Sequence, residues 1–179
     1  VIAASAPEGA ANSKYFCRLA RRFGVELTDQ GSGSLGTRMS RALEPFASSG
    51  ALLIGTDTPS LPVSLLEKSV GALQRRRVVI APSLDGGYYA VGVRGAMPPI
   101  FAAIRWGSGS VLAATILRLQ RARIRYALGP AWYDVDRWSD VMLLAAHRRL
   151  LRAENRASTS PCPATDAVLK WLGLLRDAR

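Results

Sequence analysis

The chain has 179 residues, of which 49% are hydrophobic and 21% are charged, and its formal net charge is +11. This length suits one folded domain with a sizeable core, and the composition excludes general disorder. No apolar run approaches the ~20 residues that a membrane-spanning helix requires, so no membrane partner is expected. Two cysteines are too few for a disulfide framework, and the amino end lacks the basic segment of a signal peptide, so we expect a cytoplasmic protein.

The positive charge raises the question of nucleic-acid binding. The basic residues occur in short groups scattered along the chain, at predicted helix ends and on polar helix faces, without the interleaved aromatic residues of a known nucleic-acid module. The pattern favours solvated helix faces and the attraction of anionic small substrates over nucleic-acid binding. The base composition of a genome explains the excess of arginine over lysine equally well.

The first predicted elements are a strand over residues 1–4, an amphipathic helix over residues 12–23 and a strand over residues 25–27. A glycine-rich segment over residues 30–39 then leads into a second helix. Such a junction points backbone N–H groups at an anion, and Arg38 lies one turn into the helix. The segment matches neither the Walker A nor the dinucleotide-binding pattern. It predicts either an anion-binding loop or a flexible connection.

Residues 51–54 are apolar and lead directly into the segment Gly55-Thr56-Asp57-Thr58-Pro59. An apolar run bounded by glycine and proline is typical of a strand that is covered on both faces of a parallel sheet. Ligands bind beyond the carboxyl ends of such strands, which is where Asp57 lies. We predict that Asp57 binds a divalent metal that carries a nucleotide phosphate. The alternative is that Asp57 caps the turn or the following helix.

The next helix is predicted to begin near Ser64, because Ser64 and Glu67 have the spacing of a capping box. Residues 78–81 predict another buried strand, which leads through Asp85-Gly86-Gly87 to a strand over residues 90–93. Asp-Gly-Gly between two strands ordinarily predicts a hairpin turn. Two successive glycines also allow the backbone to approach a ligand closely, so both interpretations remain open.

The remaining predicted elements are a strand over residues 124–128 and three helices, over residues 111–119, 138–152 and 165–175. Asp134 and Asp136 lie one residue apart on an extended segment, so only one of them should face a given site. His147 is expected at a solvent-facing helix end and is assigned no catalytic role. The alternation of strands and helices predicts an α/β domain with an open, mostly parallel sheet flanked by helices over residues 1–153, followed by a linker and a C-terminal helix over residues 154–179.

Five motifs occur in an order that resembles one family. They are Gln30-Gly31 with Leu35-Gly36-Thr37-Arg38-Met39, Leu53-Ile54-Gly55-Thr56-Asp57-Thr58-Pro59, Asp85-Gly86-Gly87-Tyr88-Tyr89, Trp106-Gly107-Ser108 and Asp134-Val135-Asp136. Together they resemble the glycosyltransferase-A-like proteins of the DUF2064 family, which are relatives of the nucleotidylyltransferases. The resemblance covers most of residues 1–150.

The resemblance implies a nucleotide-diphospho-sugar transferase fold with a site for a nucleoside di- or triphosphate and Mg²⁺ or Mn²⁺. Asp57 and Asp136 would be the catalytic carboxylates that hold the metal. A hard cation held in this way neutralises the negative charge that develops as diphosphate leaves. The implied nucleotide- and substrate-binding residues are Gly36, Arg38, Thr56, Asp85, Gly86, Gly87, Tyr88, Trp106 and Ser108.

Two departures from the family pattern accompany this resemblance. The chain begins at what would be the family's second strand, without the usual Pro-Gly-x-x-Lys-Thr-Arg-like loop, and Ser34 stands where an aspartate is common. The leading hypothesis is a metal-dependent transferase that uses a nucleotide-sugar or a nucleoside triphosphate and an unidentified acceptor. The alternative is a partial, non-catalytic domain that binds a nucleotide weakly or acts as an oligomeric scaffold. An unpaired sheet edge would need covering, so we expect a homodimer.

Overall fold

The computed structural model describes residues 2–5, 9–154 and 162–176, and most of the predicted Ser/Pro linker over residues 158–163 lies outside them. The described strands are β1 (Ile2–Ser5), β2 (Glu26–Asp29), β3 (Ala51–Ile54), β4 (Val78–Pro82), β5 (Tyr88–Val93) and β6 (Tyr126–Leu128). The described α-helices are α1 (Lys14–Phe23), α2 (Leu35–Leu43), α3 (Val63–Leu73), α4 (Val111–Arg121), α5 (Trp138–Glu154) and α6 (Pro163–Trp171). None of these helices combines the length and apolar character needed to cross a membrane.

Four strands form the main sheet, in the order β3–β5–β4–β6. β4 and β6 are parallel, whereas β5 is antiparallel to both β3 and β4. β3, β4 and β6 therefore point the same way, and β5 is reversed between them. This arrangement confirms the predicted α/β fold with an open sheet flanked by helices, in which three of the four strands share one direction and the reversed β5 makes two of the three pairings antiparallel. The connection between β4 and β5 is a hairpin, which was one of the two interpretations of Asp-Gly-Gly. β1 and β2 form a separate parallel pair.

The core of the domain lies around β4 and β5, whose side chains are buried on both faces of the sheet. On one face, Met39 of α2 and Leu119 of α4 pack with Val78 and Ile80 of β4. On the other face, Leu66 of α3 packs in a cluster with Ala81 of β4 and with Tyr89 and Ala90 of β5. Burial of this apolar surface is the main source of stability, and it fixes which strand ends are left open to solvent.

Two local predictions are wrong. β3 was expected to be covered on both faces, but it lies at the edge of the main sheet, and Ile54 is 47% exposed. The capping box at Ser64 does not form, because the N-cap of α3 is Pro62, two residues before Ser64, and no side chain caps the helix. Proline fits this position because its lack of an N–H costs nothing where no helical partner exists.

The C-terminal helix α6 packs against α5 in a second apolar cluster that includes Tyr133, Leu144 and Leu169. Beside this cluster, Arg148 of α5 forms a two-pronged ion pair with Asp166 of α6, with N–O distances of 2.8 and 3.0 Å. Arg148 is only 2% exposed, so the expectation of a solvated helix end is wrong here. The periodicity of α5 places Arg148 on its inner face, where Asp166 supplies the opposite charge.

Candidate functional site

A cleft of about 240 Å³ opens beyond the carboxyl ends of the strands that point the same way. Four carboxylates line it, namely Asp57 after β3, Asp85 after β4, and Asp134 and Asp136 after β6. The strand ends of an open α/β sheet are the usual place for a ligand, because the connecting loops diverge there. Residues that are remote in sequence are therefore brought to one site by strand direction alone.

The segment that carries Asp134 and Asp136 is held between the loops that follow β3 and β4. The Val135 N–H donates to the Asp57 carbonyl at 2.8 Å, and the Trp132 N–H donates to the Pro82 carbonyl at 3.1 Å. The Ser83 hydroxyl donates to the Asp134 carboxylate. Asp134 and Asp136 are separated by one residue, and residues i and i+2 of an extended segment lie on the same face. The prediction that only one aspartate faces the site is wrong, since both line the cleft.

The cleft is electrostatically negative. Burial raises the pKa of Asp134, the hydrogen bond from Ser83 opposes that rise, and the negative charges of Asp85, Asp136 and Asp57 raise the pKa further. No arginine or lysine is among the described residues that line the cleft. Cations are therefore attracted to this site, and an anionic ligand needs a cation to accompany it.

The carboxylates of the cleft are of the ligand type that a hard divalent cation prefers. Among the described residues, no three acidic, histidine or cysteine side chains lie close enough together to form a metal-binding group. Mg²⁺ is usually bound through one or two carboxylates together with substrate phosphates and water, so such a group is not required. Asp57 and Asp136, from two different loops, are the residues that would hold the ion.

Aromatic side chains form one wall of the cleft. Tyr88 and Trp106 meet edge to face, with ring centroids 6.4 Å apart. Burial raises the pKa of Tyr88 to about 12, so its phenol stays neutral at physiological pH and contributes its ring rather than a proton. The Tyr89 hydroxyl donates to the Pro130 carbonyl at 2.9 Å and ties β5 to the segment after β6. These rings form the apolar side of the cleft, opposite in character to its carboxylates.

Seven of the eleven predicted site residues line this cleft, and four do not. Those that line it are Asp57, Asp85, Gly87, Tyr88, Trp106, Ser108 and Asp136. Those that do not line it are Gly36, Arg38, Thr56 and Gly86. The loops after β3, β4 and β6 therefore supply predicted residues to the lining of the cleft. Gly36 and Arg38, at the start of α2, lie outside that lining.

Gly36 and Arg38 stabilise the structure beside the cleft. A Cβ at Gly36 would lie 2.7 Å from the Phe101 carbonyl oxygen and 2.9 Å from the Trp106 ring, so glycine permits close packing behind the aromatic wall. Arg38 donates to the Gln30 side-chain oxygen at 2.9 Å and braces the glycine-rich loop. Gly36 lines a second groove of about 520 Å³, which shares Trp106 with the acidic cleft.

Gly86 and Thr56 shape the two loops from which the aspartates extend. Gly86 has φ +89°, and a Cβ there would lie 2.2 Å from the Gly109 carbonyl oxygen, so only glycine fits this turn. Asp85 accepts a hydrogen bond from the Gly87 N–H at 2.8 Å. The Thr56 hydroxyl lies 3.4 Å from an Asp57 carboxylate oxygen. These contacts fix the backbone of the site.

Three residues contribute to the site although the sequence predicted no role for them, namely Asp134, Ser83 and Asp140. Asp134 lines the cleft, and the Ser83 hydroxyl donates to its carboxylate. Asp140 accepts hydrogen bonds from the backbone N–H groups of Asp136 and Arg137, at 3.1 and 2.8 Å, and these bonds lower its pKa. The sequence could have indicated this role, because Asp140 lies in the first turn of α5, where acidic residues commonly accept hydrogen bonds from free backbone N–H groups.

A hydrogen-bonded chain behind the cleft connects the Asp57 loop to the two C-terminal helices. The Ser60 hydroxyl lies 3.0 Å from the Tyr133 hydroxyl, which lies 2.9 Å from Nδ1 of His147. The Thr165 hydroxyl donates to the Pro59 carbonyl at 2.8 Å. His147 is half-buried against Trp132 and Tyr133, so the expectation of a solvent-facing histidine is wrong.

Comparison with known proteins gives one family and one informative structure. Residues 1–108 match the family model described as "Uncharacterized protein conserved in bacteria (DUF2064)". The chain is similar to the crystal structure of a "putative nucleotide-diphospho-sugar transferase" from Desulfovibrio desulfuricans G20, with 27% sequence identity and a TM-score of 0.76. That similarity covers 98% of this chain and 77% of the other. No curated protein matches this chain.

Proposed function

This chain belongs to the DUF2064 family, and on that premise we propose that it is a metal-dependent transferase whose donor is a nucleotide-sugar or a nucleoside triphosphate. The observation that carries the proposal is the meeting of Asp57 and Asp136, remote in sequence, at one cleft beyond the strand ends. The similarity to a protein named as a nucleotide-diphospho-sugar transferase supports a transferase of this kind. The proposed cofactor is Mg²⁺ or Mn²⁺.

The residues of the cleft divide the work of transfer between them. Asp57 and Asp136 hold the cation, which when bound neutralises the charge that develops on the departing diphosphate. Tyr88 and Trp106 bind the base or the sugar ring on the aromatic wall. In glycosyl transfer, Asp134 accepts the proton of the acceptor hydroxyl. Its raised pKa makes the Asp134 carboxylate a stronger base than an ordinary aspartate.

Calorimetric titration of a panel of nucleotides and nucleotide-sugars, with and without Mn²⁺, tests this proposal. We expect binding only when Mn²⁺ is present, because the described lining of the cleft offers carboxylates and no basic side chain. Asp57→Asn should weaken that binding on the order of a hundredfold. Mutation of residues that only hydrogen-bond to a metal ligand already lowers metal affinity about tenfold or more, so loss of a direct ligand should cost at least as much. Glu67→Gln, an exposed change on α3, is the matched control. Metal-independent binding, or equal affinities in wild type and Asp57→Asn, would contradict the assignment.

A non-catalytic scaffold is the second candidate, and the position of β3 favours it. β3 pairs with β5 and has no second partner among the described strands, so one edge of its backbone is open. An open edge is commonly covered by another chain, and we propose a homodimer. Light scattering at micromolar concentration should give the mass of two chains. The mass of one chain would contradict the dimer while leaving the transferase proposal intact.

A further inference from the structure

Seven exposed arginines gather at the end of the main sheet opposite the acidic cleft. They come from the turn after α3, the turn after β5 and the turn between α4 and β6, and we call them the arginine end: Arg75, Arg76, Arg77, Arg94, Arg121, Arg123 and Arg125. In sequence these residues belong to separate groups that looked like unrelated helix ends. Strand direction brings them together, since β4 and β6 begin where β5 ends.

Strand register places three of these arginines in one row. Val78 pairs with Tyr126 on one side and with Val93 on the other, so the adjoining residues Arg125, Arg77 and Arg94 lie side by side on three neighbouring strands. The Arg94 N–H donates to the Arg77 carbonyl at 2.8 Å. Neighbouring strands are about 4.8 Å apart, so the backbone positions of the three charges span roughly 10 Å. The row directly adjoins the ends of these three strands.

Backbone carbonyls and not carboxylates hold two of the three guanidinium groups of this row. Arg77 donates to the Ala96 carbonyl at 2.8 Å, and Arg94 donates to the Gln74 carbonyl at 2.9 Å. Among the described residues, none of the seven arginines lies within salt-bridge distance of a carboxylate. The ion pair between Arg148 and Asp166 joins α5 to α6 and involves none of the seven. Like charges held together without counter-charges repel each other, and an anion that binds across them removes that repulsion.

We propose that the arginine end binds the phosphate backbone of a nucleic acid, without reading its base sequence. Arginine suits this role because its planar guanidinium can donate two parallel hydrogen bonds to a phosphate. The three segments expose no large apolar side chain that could insert into a bilayer, which favours a nucleic acid over a lipid surface. This site is separate from the acidic cleft and does not depend on the transferase proposal.

Fluorescence anisotropy with a labelled duplex of mixed sequence tests the proposal. The wild-type protein should bind the duplex, and its affinity should fall steeply between about 50 and 200 mM salt as counterions are released. The variant Arg77→Gln/Arg94→Gln/Arg125→Gln should bind about tenfold or more weakly and should reduce the salt slope by about three. The matched control Lys14→Gln/Lys68→Gln/Arg105→Gln removes the same charge from exposed positions outside the arginine end. It should keep most of the affinity.

Three further measurements distinguish a phosphate site from general attraction or misfolding. The variant Arg77→Lys/Arg94→Lys/Arg125→Lys keeps the charge and should retain more affinity than the glutamine variant. Asp57→Asn should bind the duplex as wild type does. Circular dichroism should show that each variant is folded. Equal losses in the two glutamine triples, binding without salt dependence, or binding to phosphatidylglycerol vesicles but not to the duplex would each overturn the proposal.

Discussion

The two ends of the main sheet carry opposite charge on the same strands. At the carboxyl ends of β3, β4 and β6, four aspartates face a concave cleft, and a serine and backbone N–H groups hold the surrounding loops in place. At the other end, seven arginines are exposed on short turns without carboxylate partners among the described residues. The acidic end resembles a site for a small ligand, whereas the arginine end resembles a surface for an extended one. Shape, and not charge alone, separates the two roles.

Arg148 provides a reference for this comparison, because it is an arginine with a structural role. It is buried and paired with Asp166, whereas the arginines at the sheet end are exposed. If the arginine end existed for stability, removing its residues would cost as much as removing Arg148. If it exists for binding, the two kinds of arginine should differ in their effect on the free energy of unfolding.

The largest expected effect follows from Arg148→Ala. This change removes the guanidinium that makes two hydrogen bonds to buried Asp166, and the free energy of unfolding should fall by about 3–5 kcal/mol. Arg125→Ala, an exposed change at the arginine end, should alter it by less than about 0.5 kcal/mol. Urea denaturation followed by circular dichroism measures both. A comparable loss in the two variants would show that the arginine end stabilises the fold.

A smaller effect is expected from Asp134→Asn at the acidic end. The raised pKa of Asp134 means that its charged form is disfavoured in the folded state, so the contribution of Asp134 to the stability of the wild-type protein should become more favourable as pH falls from neutral through that pKa. Asparagine can still accept the hydrogen bond from Ser83, so Asp134→Asn should melt at a higher temperature than wild type near pH 7.

The difference in melting temperature should shrink as the pH is lowered, because wild-type Asp134 then becomes neutral as well. Scanning fluorimetry across a pH series measures this convergence. Mn²⁺ near pH 7 should raise the melting temperature of the wild-type protein more than that of the variant, because it relieves the repulsion among the carboxylates. A variant that melts below wild type at neutral pH would show that Asp134 is stabilising in its charged form.

Much of the candidate site could be predicted from local sequence. Asp57 and Asp85 directly follow apolar runs, and such residues lie at strand ends whatever the order of the strands. The position of Arg148 could not be predicted in this way. Alternation in fact places Asp134 on the same face as Asp136, so Asp134 was within reach of the sequence, whereas the polar pattern around Arg148 could not reveal a partner that lies in another helix.

Sequence by itself determined the α/β class, most of the strands and helices, the family and seven of the residues in the cleft, because periodicity, turn residues and short motifs are local properties. Tertiary structure alone decided the order of the strands in the sheet, the packing role of Gly36, and the meeting of the aspartates at one end of the sheet and of scattered arginines at the other. The reason is physical. Strand order and register are set by long-range burial and pairing, and these determine which distant charges become neighbours.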